Sequence, residues 1–162
     1  MSDLLIKMPL EYEPLKNNRF LVRFPSDLGI QEWWVESAGR PSYQVNKTDI
    51  AFLNTKTSVA GQYTWNDISV KFRDPIGPSA SQAIMEWVRL CSESVTGRQG
   101  YAVAYKRDLV IEMLDPTGVA VSQWICKNCW LTNVNGGALS YTDDSLSTWD
   151  CTVAMDYAIL SF

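Results

Sequence analysis

The pair Cys126-Lys127-Asn128-Cys129 is the first place in this sequence where residue types and spacing could do chemistry. Two thiolates so spaced can bind zinc or exchange disulfides. The pair falls inside an apolar run that reads as a β-strand, and in a regular strand a spacing of three sends the thiols to opposite faces. Neither Cys91 nor Cys151 has a second ligand nearby in sequence, so the four cysteines read as small core hydrophobes. Without a secretion signal a disulfide framework is not expected, and the thiols read as reduced.

Asp143 and Asp144, alone or with Asp115, could be offered as paired acids or calcium ligands. The oxygen-ligand spacing of a calcium loop is missing, and adjacent carboxylates in a turn read as a solvated loop. The chain has no histidine, which removes the commonest general base and metal ligand, and no Gly-x-Ser-x-Gly, Walker or Rossmann fingerprint occurs. Neither catalysis nor a cofactor is expected. The seven tryptophans could supply a sugar-binding platform. Spacing places Trp33, Trp87 and Trp149 on inferred core faces and leaves Trp34, Trp65, Trp124 and Trp130 unplaced; a large aromatic off the core face is a candidate for a protein interface.

The elements that would position these residues are mainly β. Residues 1–18, with Pro9 and Pro14, read as an extended N-terminal arm. Phe20, Val22 and Phe24 share one parity of a first strand, and residues 31–38 read as a second, with Trp33 and Val35 on one face and Trp34 and Glu36 on the other. Thr64 to Arg73 alternates strictly, with Ile68, Val70 and Phe72 inward. Ser79-x-x-Gln82 matches a capping box and opens the one convincing helix, residues 79–94. Residues 101–114 and 119–131 read as strands joined by the turn Asp115-Pro116-Thr117-Gly118. A last strand, 145–160, would place Trp149, Cys151, Val153, Met155, Tyr157 and Ile159 on its buried side.

Residues 40–66 differ in texture. Asn46, Lys47, Thr48, Asp49, Asn54 and Lys56 crowd around a small apolar patch at Ile50, Phe52 and Leu53. This predicts a long polar hairpin or loop with too little apolar surface for a core of its own, either mobile or ordered by a neighbouring molecule.

The 162 residues suit one domain with a sizeable core, and 46% hydrophobic with 20% charged residues is a globular composition. A net charge of −4 argues against gripping phosphate backbones. No stretch approaches the roughly 18 apolar residues of a membrane span, so no membrane anchor is expected, and folding in a cytoplasm is.

From Asn54 onward, in the pattern Asn-x-x-x-x-Val-Ala-Gly-x-x-Thr-x-x-Asp-Ile-x-Val-x-Phe, the chain resembles the tail tube proteins of contractile-tailed bacteriophages. The similarity runs on through the helix with Trp87, Leu114-Asp115-Pro116-x-Gly118, Trp130-x-x-Asn133-Val134-Asn135 and Val153-Ala154-x-Asp156-Tyr157. The resemblance implies a small antiparallel β-sandwich or barrel with one flanking helix. It further implies six copies closing into a ring, rings stacking into a hollow tube, and a contractile sheath outside. On that resemblance the hairpin is the candidate contact between subunits, within a ring and to the next, through Asn46, Lys47, Thr48, Asp49, Asn54, Lys56, Val59 and Tyr63, with Ile50, Phe52 and Leu53 as an apolar plug between rings; the N-terminal arm is a second candidate contact. Its implied partners are the subunit itself, the sheath, the baseplate tube-initiator and the tail terminator, within a virion tail assembled in the host cytoplasm. Genome DNA would pass through the lumen without specific binding, which a net acidic protein permits. The alternatives are a baseplate tube-initiator, the tube of a genome-free injection particle and, in another class, a β-sandwich carbohydrate-binding module.

Overall fold

Ile68, Val70 and Phe72 are almost fully buried while Ser69 and Arg73 face out, and this alternation makes strand β5 (Ile68–Arg73). The structure, a computed structural model, describes residues 11–162. The other strands are β1 (Phe20–Arg23), β2 (Val35–Ala38), β3 (Tyr43–Phe52), β4 (Thr55–Trp65), β6 (Arg107–Leu114), β7 (Ala120–Asn135), β8 (Thr148–Ala154) and β9 (Tyr157–Leu160); the helices are α1 (Ala80–Cys91) and the single turn α2 (Ala102–Tyr105). Seven strands form one antiparallel sheet in the order β1-β6-β7-β8-β5-β2, with β9 beside β7. Strand β7 is long enough to pair with β6 and β9 along its first half and with β8 along its second.

The sheet curls. Phe24, just beyond edge strand β1, meets Phe72 on β5 near the opposite edge, with ring centroids 5.6 Å apart. The enclosed core joins Val22, Trp34, Val70, Phe72, Leu109, Ile111 and Val153 to Ala80, Ile84 and Trp87 of α1. The fold is therefore mainly β, an open antiparallel barrel flanked by one main helix. The N-terminal arm falls partly outside the described residues; positions 11–18 of it are exposed.

Several expectations are corrected. Residues 32–34 form a 3-10 turn before β2 instead of continuing it, and this rotates Trp34 into the core and leaves Trp33 62% exposed. Residues 64 and 65 end the hairpin strand β4, and Asn66-Asp67 separates them from β5. The helix runs from 80 to 91 without the expected capping box: Ser79 Oγ meets Ser81 Oγ at 2.6 Å. Asp74 caps instead, one carboxylate oxygen accepting the Ala80 amide at 3.2 Å and the other Trp149 Nε1 at 3.1 Å. Beyond the helix, the chain passes so close to the Leu90 carbonyl that Gly100 has no room for a Cβ. Residues 102–105 form α2, which postpones the next strand to Arg107.

The last strand also breaks. The Asp156 amide donates to the Lys127 carbonyl at 3.1 Å between β8 and β9, and the parity reverses there. Cys151, Val153 and Met155 are buried as expected, but Ala158 takes the next core position while Tyr157 and Ile159 are exposed.

Candidate assembly surface

The spacing argument placed Cys126 and Cys129 on opposite faces; the structure buries both completely on the same side. A bulge is the cause. Strand β6 advances by two residues, Arg107 to Leu109, while β7 advances by three, Cys129 to Cys126. Asn128 absorbs the extra residue in a left-handed conformation with φ 56°, which asparagine tolerates better than most residues. Its backbone amide donates to Asp108 at 3.2 Å and its side-chain amide to Asp156 at 2.9 Å. Those carboxylates also pair with Lys127 at 2.9 Å and Lys106 at 3.1 Å. Bonding to Lys127 first, and to the Asn128 amide, holds Asp108 below the usual carboxylate range; Asn128 and then Lys106 do the same for Asp156.

These thiols are core material. Contact with Cys126 and burial raise the Cys129 thiol far above its ordinary range, and burial pushes Cys151 up to about 12. Among the described residues, no group of three His, Cys, Asp or Glu is placed to hold a metal ion. Native protein treated with an aromatic disulfide reagent is therefore expected to release one equivalent of thiolate promptly, from half-buried Cys91, and the other three only in denaturant. Prompt release of three or more equivalents would show that the barrel around Cys126 opens readily.

The acids of the loops hold their own turns. Asp143 Oδ1 accepts the Ser145 hydroxyl at 2.7 Å and its amide at 3.0 Å, and Asp115 Oδ1 accepts the Thr117 hydroxyl at 2.7 Å and the Val119 amide at 2.8 Å. Bonds from Ser145 and Thr117 keep both carboxylates below their usual range.

The hairpin is another matter. Strands β3 and β4 form their own two-stranded sheet, prolonging β2 and β5 away from the barrel; every residue of β3, and of β4 except Trp65, is exposed. Ten residues of strand reach about 33 Å. All the residues singled out as a candidate interface lie on this hairpin, but they do not form one surface. Val45 faces Tyr63 while Lys47 faces Ala60, so β4 carries one extra residue at Gly61-Gln62. Gly61 fits because the strands approach closely: a Cβ would lie 3.1 Å from both the Asn46 carbonyl oxygen and Thr48 Oγ1.

Below the bulge, near the barrel, Tyr43, Val45, Tyr63 and Trp65 share one face, the Tyr43 and Trp65 ring centroids being 5.1 Å apart. Beyond it, the same face continues as Lys47, Asp49, Ser58 and Lys56, with Lys56 Nζ 2.8 Å and Ser58 Oγ 2.9 Å from the Asp49 carboxylate. Those two bonds, Lys56 first, lower the Asp49 pKa. Thr48, Ile50, Phe52, Thr57 and Val59 occupy the reverse face. Leu53, next to Asn54 at the tip, is left-handed at φ 51° and 88% exposed. Trp65 was among the unplaced aromatics that the sequence offered for an interface, but Tyr43 and Val45 were not among its candidates; their parity with the β4 aromatics was the signal, visible only once the strands are paired.

A groove of 790 Å³ runs between edge strands β1 and β2, lined by Phe20, Leu21, Trp33, Val35 and Met113 together with Glu32, Glu36, Arg40 and Arg73. Exposed apolar side chains thus run along the hairpin and, at Trp33, into this seam.

An open antiparallel barrel bearing a long exposed hairpin is a fold shared with chains of contractile injection assemblies. A chain from the cryo-EM structure of the anti-feeding prophage tube-terminating cap superposes with a TM-score of 0.74 at 17% identity, covering 99% of both chains. One from the PVC sheath-tube complex in the extended state gives 0.69 at 17% identity over 94% of this chain and 93% of that one. Residues 16–158 match the family described as T4-like virus tail tube protein gp19, and the chain belongs to that family. It is a structural tail tube subunit. The tail tube protein gp19 of Enterobacteria phage T4 is 27% identical over 122 residues, 72% of this chain and 74% of that protein.

Proposed function

We propose that six copies of this chain close into a ring, that rings stack into a hollow tube inside a contractile sheath, and that genome DNA passes through the bore into the host. The sheath, a baseplate tube-initiator and a tail terminator would be its further partners, in a virion tail assembled in the host cytoplasm. The hairpin carries this reading. A subunit that worked alone would gain nothing from a strand pair of this length held outside its core with Ile50, Phe52 and Val59 in water. Leu53 adds to the case: a leucine in the left-handed region costs on the order of 1 kcal/mol, and an exposed apolar residue retained there is explained by contact with another molecule. Free edges at β1 and β2 would also be covered by neighbours in a ring.

Negative-stain microscopy of the concentrated protein, with sedimentation velocity alongside, tests this. Sixfold rings and stacked tubes are the expected result. A strict monomer at high concentration would overturn it.

A further inference from the structure

We infer that the apolar N-terminal segment, residues 4–10, lies as an added strand in the groove between β1 and β2 of its own chain and closes the open barrel there. The groove is a breach in the fold. Among the described residues β1 pairs only with β6 and β2 only with β5, so each presents one unpaired edge to the 790 Å³ between them. The lining reaches the core: Val22, Ile111 and Met113 are nearly inaccessible at its bottom, while Trp33 is exposed at its rim. An apolar wall flanked by strand edges is the seat of an extended segment, whose backbone pairs with an edge and whose alternate side chains fill the wall.

The segment that precedes Glu11 has that form. Leu4, Ile6, Met8 and Leu10 share one parity and Asp3, Leu5, Lys7 and Pro9 the other, so an extended chain here presents one unbroken apolar face and one mixed face. Asp3 and Lys7, on the mixed face, would meet the charges along the groove, Arg40 and Arg73 with Glu32 and Glu36.

The connection decides whose groove is filled. The Arg19 amide donates to the Lys16 carbonyl at 3.3 Å, which turns the chain at Asn17-Asn18, two residues of the groove lining. The Arg19 guanidinium lies 3.7 Å from the Glu13 carboxylate, so Glu13 is still beside the start of β1. From Glu13 to Leu10 is about 10 Å of chain at full extension. So short a tether gives the segment an effective concentration on the order of millimolar at its own groove, ahead of any segment offered by another copy. In a ring, a neighbour would then cover β1 and β2 with this segment already between them.

Two measurements on free subunits of the full chain test the inference, and neither depends on whether rings form. In the first, Ile6 is replaced by the photo-cross-linking residue benzoylphenylalanine, the protein is irradiated, and the linked peptides are mapped. Links within one chain, to the segments around Phe20 or around Trp33 and Val35, are expected. Links between chains, links outside the groove, or no link overturn the inference. In the second, hydrogen exchange is compared between wild type, Ile6→Asp and Leu5→Asp. Amides of β1 and β2 should exchange about tenfold faster or more in Ile6→Asp, the equivalent of about 1.4 kcal/mol, while those of β5 keep their rate and show that the barrel is intact. Leu5→Asp adds the same charge on the outward parity and should leave β1 and β2 near the wild-type rate. Wild-type exchange in Ile6→Asp, or an equal effect from Leu5→Asp, overturns the inference.

Discussion

Phe52→Asp is expected to abolish tube polymerisation while leaving the subunit folded. Phe52 is 73% exposed in the single chain and lies outside the core, so the barrel loses nothing when it changes. Exposed substitutions of this kind alter stability by no more than about 0.5 kcal/mol. In an assembled tube the same side chain would be buried. Losing a buried phenylalanine forfeits about 1.5–3 kcal/mol, and an unpaired carboxylate in its place adds a desolvation penalty of a few kcal/mol more. A total near 4 kcal/mol weakens each contact about a thousandfold, and a ring repeats the contact at every subunit. Phe52→Leu, which keeps most of the apolar surface, should still polymerise. Sedimentation and microscopy read the assembly, and thermal melting reads the fold. Normal tubes from Phe52→Asp would remove the hairpin tip from the interface.

The sequence made the barrel legible wherever an element is regular. Ile68, Val70 and Phe72 alternate without interruption and emerge as a buried strand face; Ile84 and Trp87 keep helical spacing and emerge in the core. The hairpin was legible as an element because polar residues so outnumber apolar ones there that no core could form. What could not be read is which way side chains point beyond a one-residue irregularity. Parity arguments carry a face assignment along a strand only until a residue is inserted, and a bulge is defined by the partner strand. That one limit accounts for Cys129 beyond Asn128, for Ala158 replacing Tyr157 in the core after Asp156, and for the division of the hairpin's apolar residues at Gln62. The exchange of Trp33 for Trp34 has a related origin, since a 3-10 turn rotates the chain by a third of a turn per residue where a strand rotates it by half. Asp74 was hidden for a different reason: six residues and a proline-rich loop separate it from the amide it caps.

Trp87→Ala is the substitution expected to damage the fold itself most. Trp87 is 2% exposed, and its ring meets Phe24 edge-on with centroids 6.4 Å apart. Its indole Nε1 donates to the Tyr105 carbonyl at 2.8 Å, which ties α1 to α2; the Tyr105 ring in turn meets Trp130 on β7 at 5.8 Å. One side chain therefore links the helix to the seam residue Phe24 and, through Tyr105, to the strand that belongs to both halves of the sheet. Truncating a buried tryptophan costs about 3–5 kcal/mol in lost transfer energy and cavity, and here it also leaves a carbonyl without its donor. Against a total stability of about 5–15 kcal/mol, that removes much of the margin. With a urea dependence of about 2 kcal/mol per molar, the unfolding midpoint should fall by about 2 M. Trp87→Phe separates the two contributions: it retains most of the ring and loses the hydrogen bond, so its cost should lie nearer 1–2 kcal/mol. Assembly should follow stability in this pair, with tubes from Trp87→Phe and few from Trp87→Ala, the reverse of Phe52→Asp, where assembly fails and stability holds. A midpoint for Trp87→Ala within 0.3 M or so of wild type, corresponding to about 0.6 kcal/mol, would mean that α1 rests on the barrel without holding it closed.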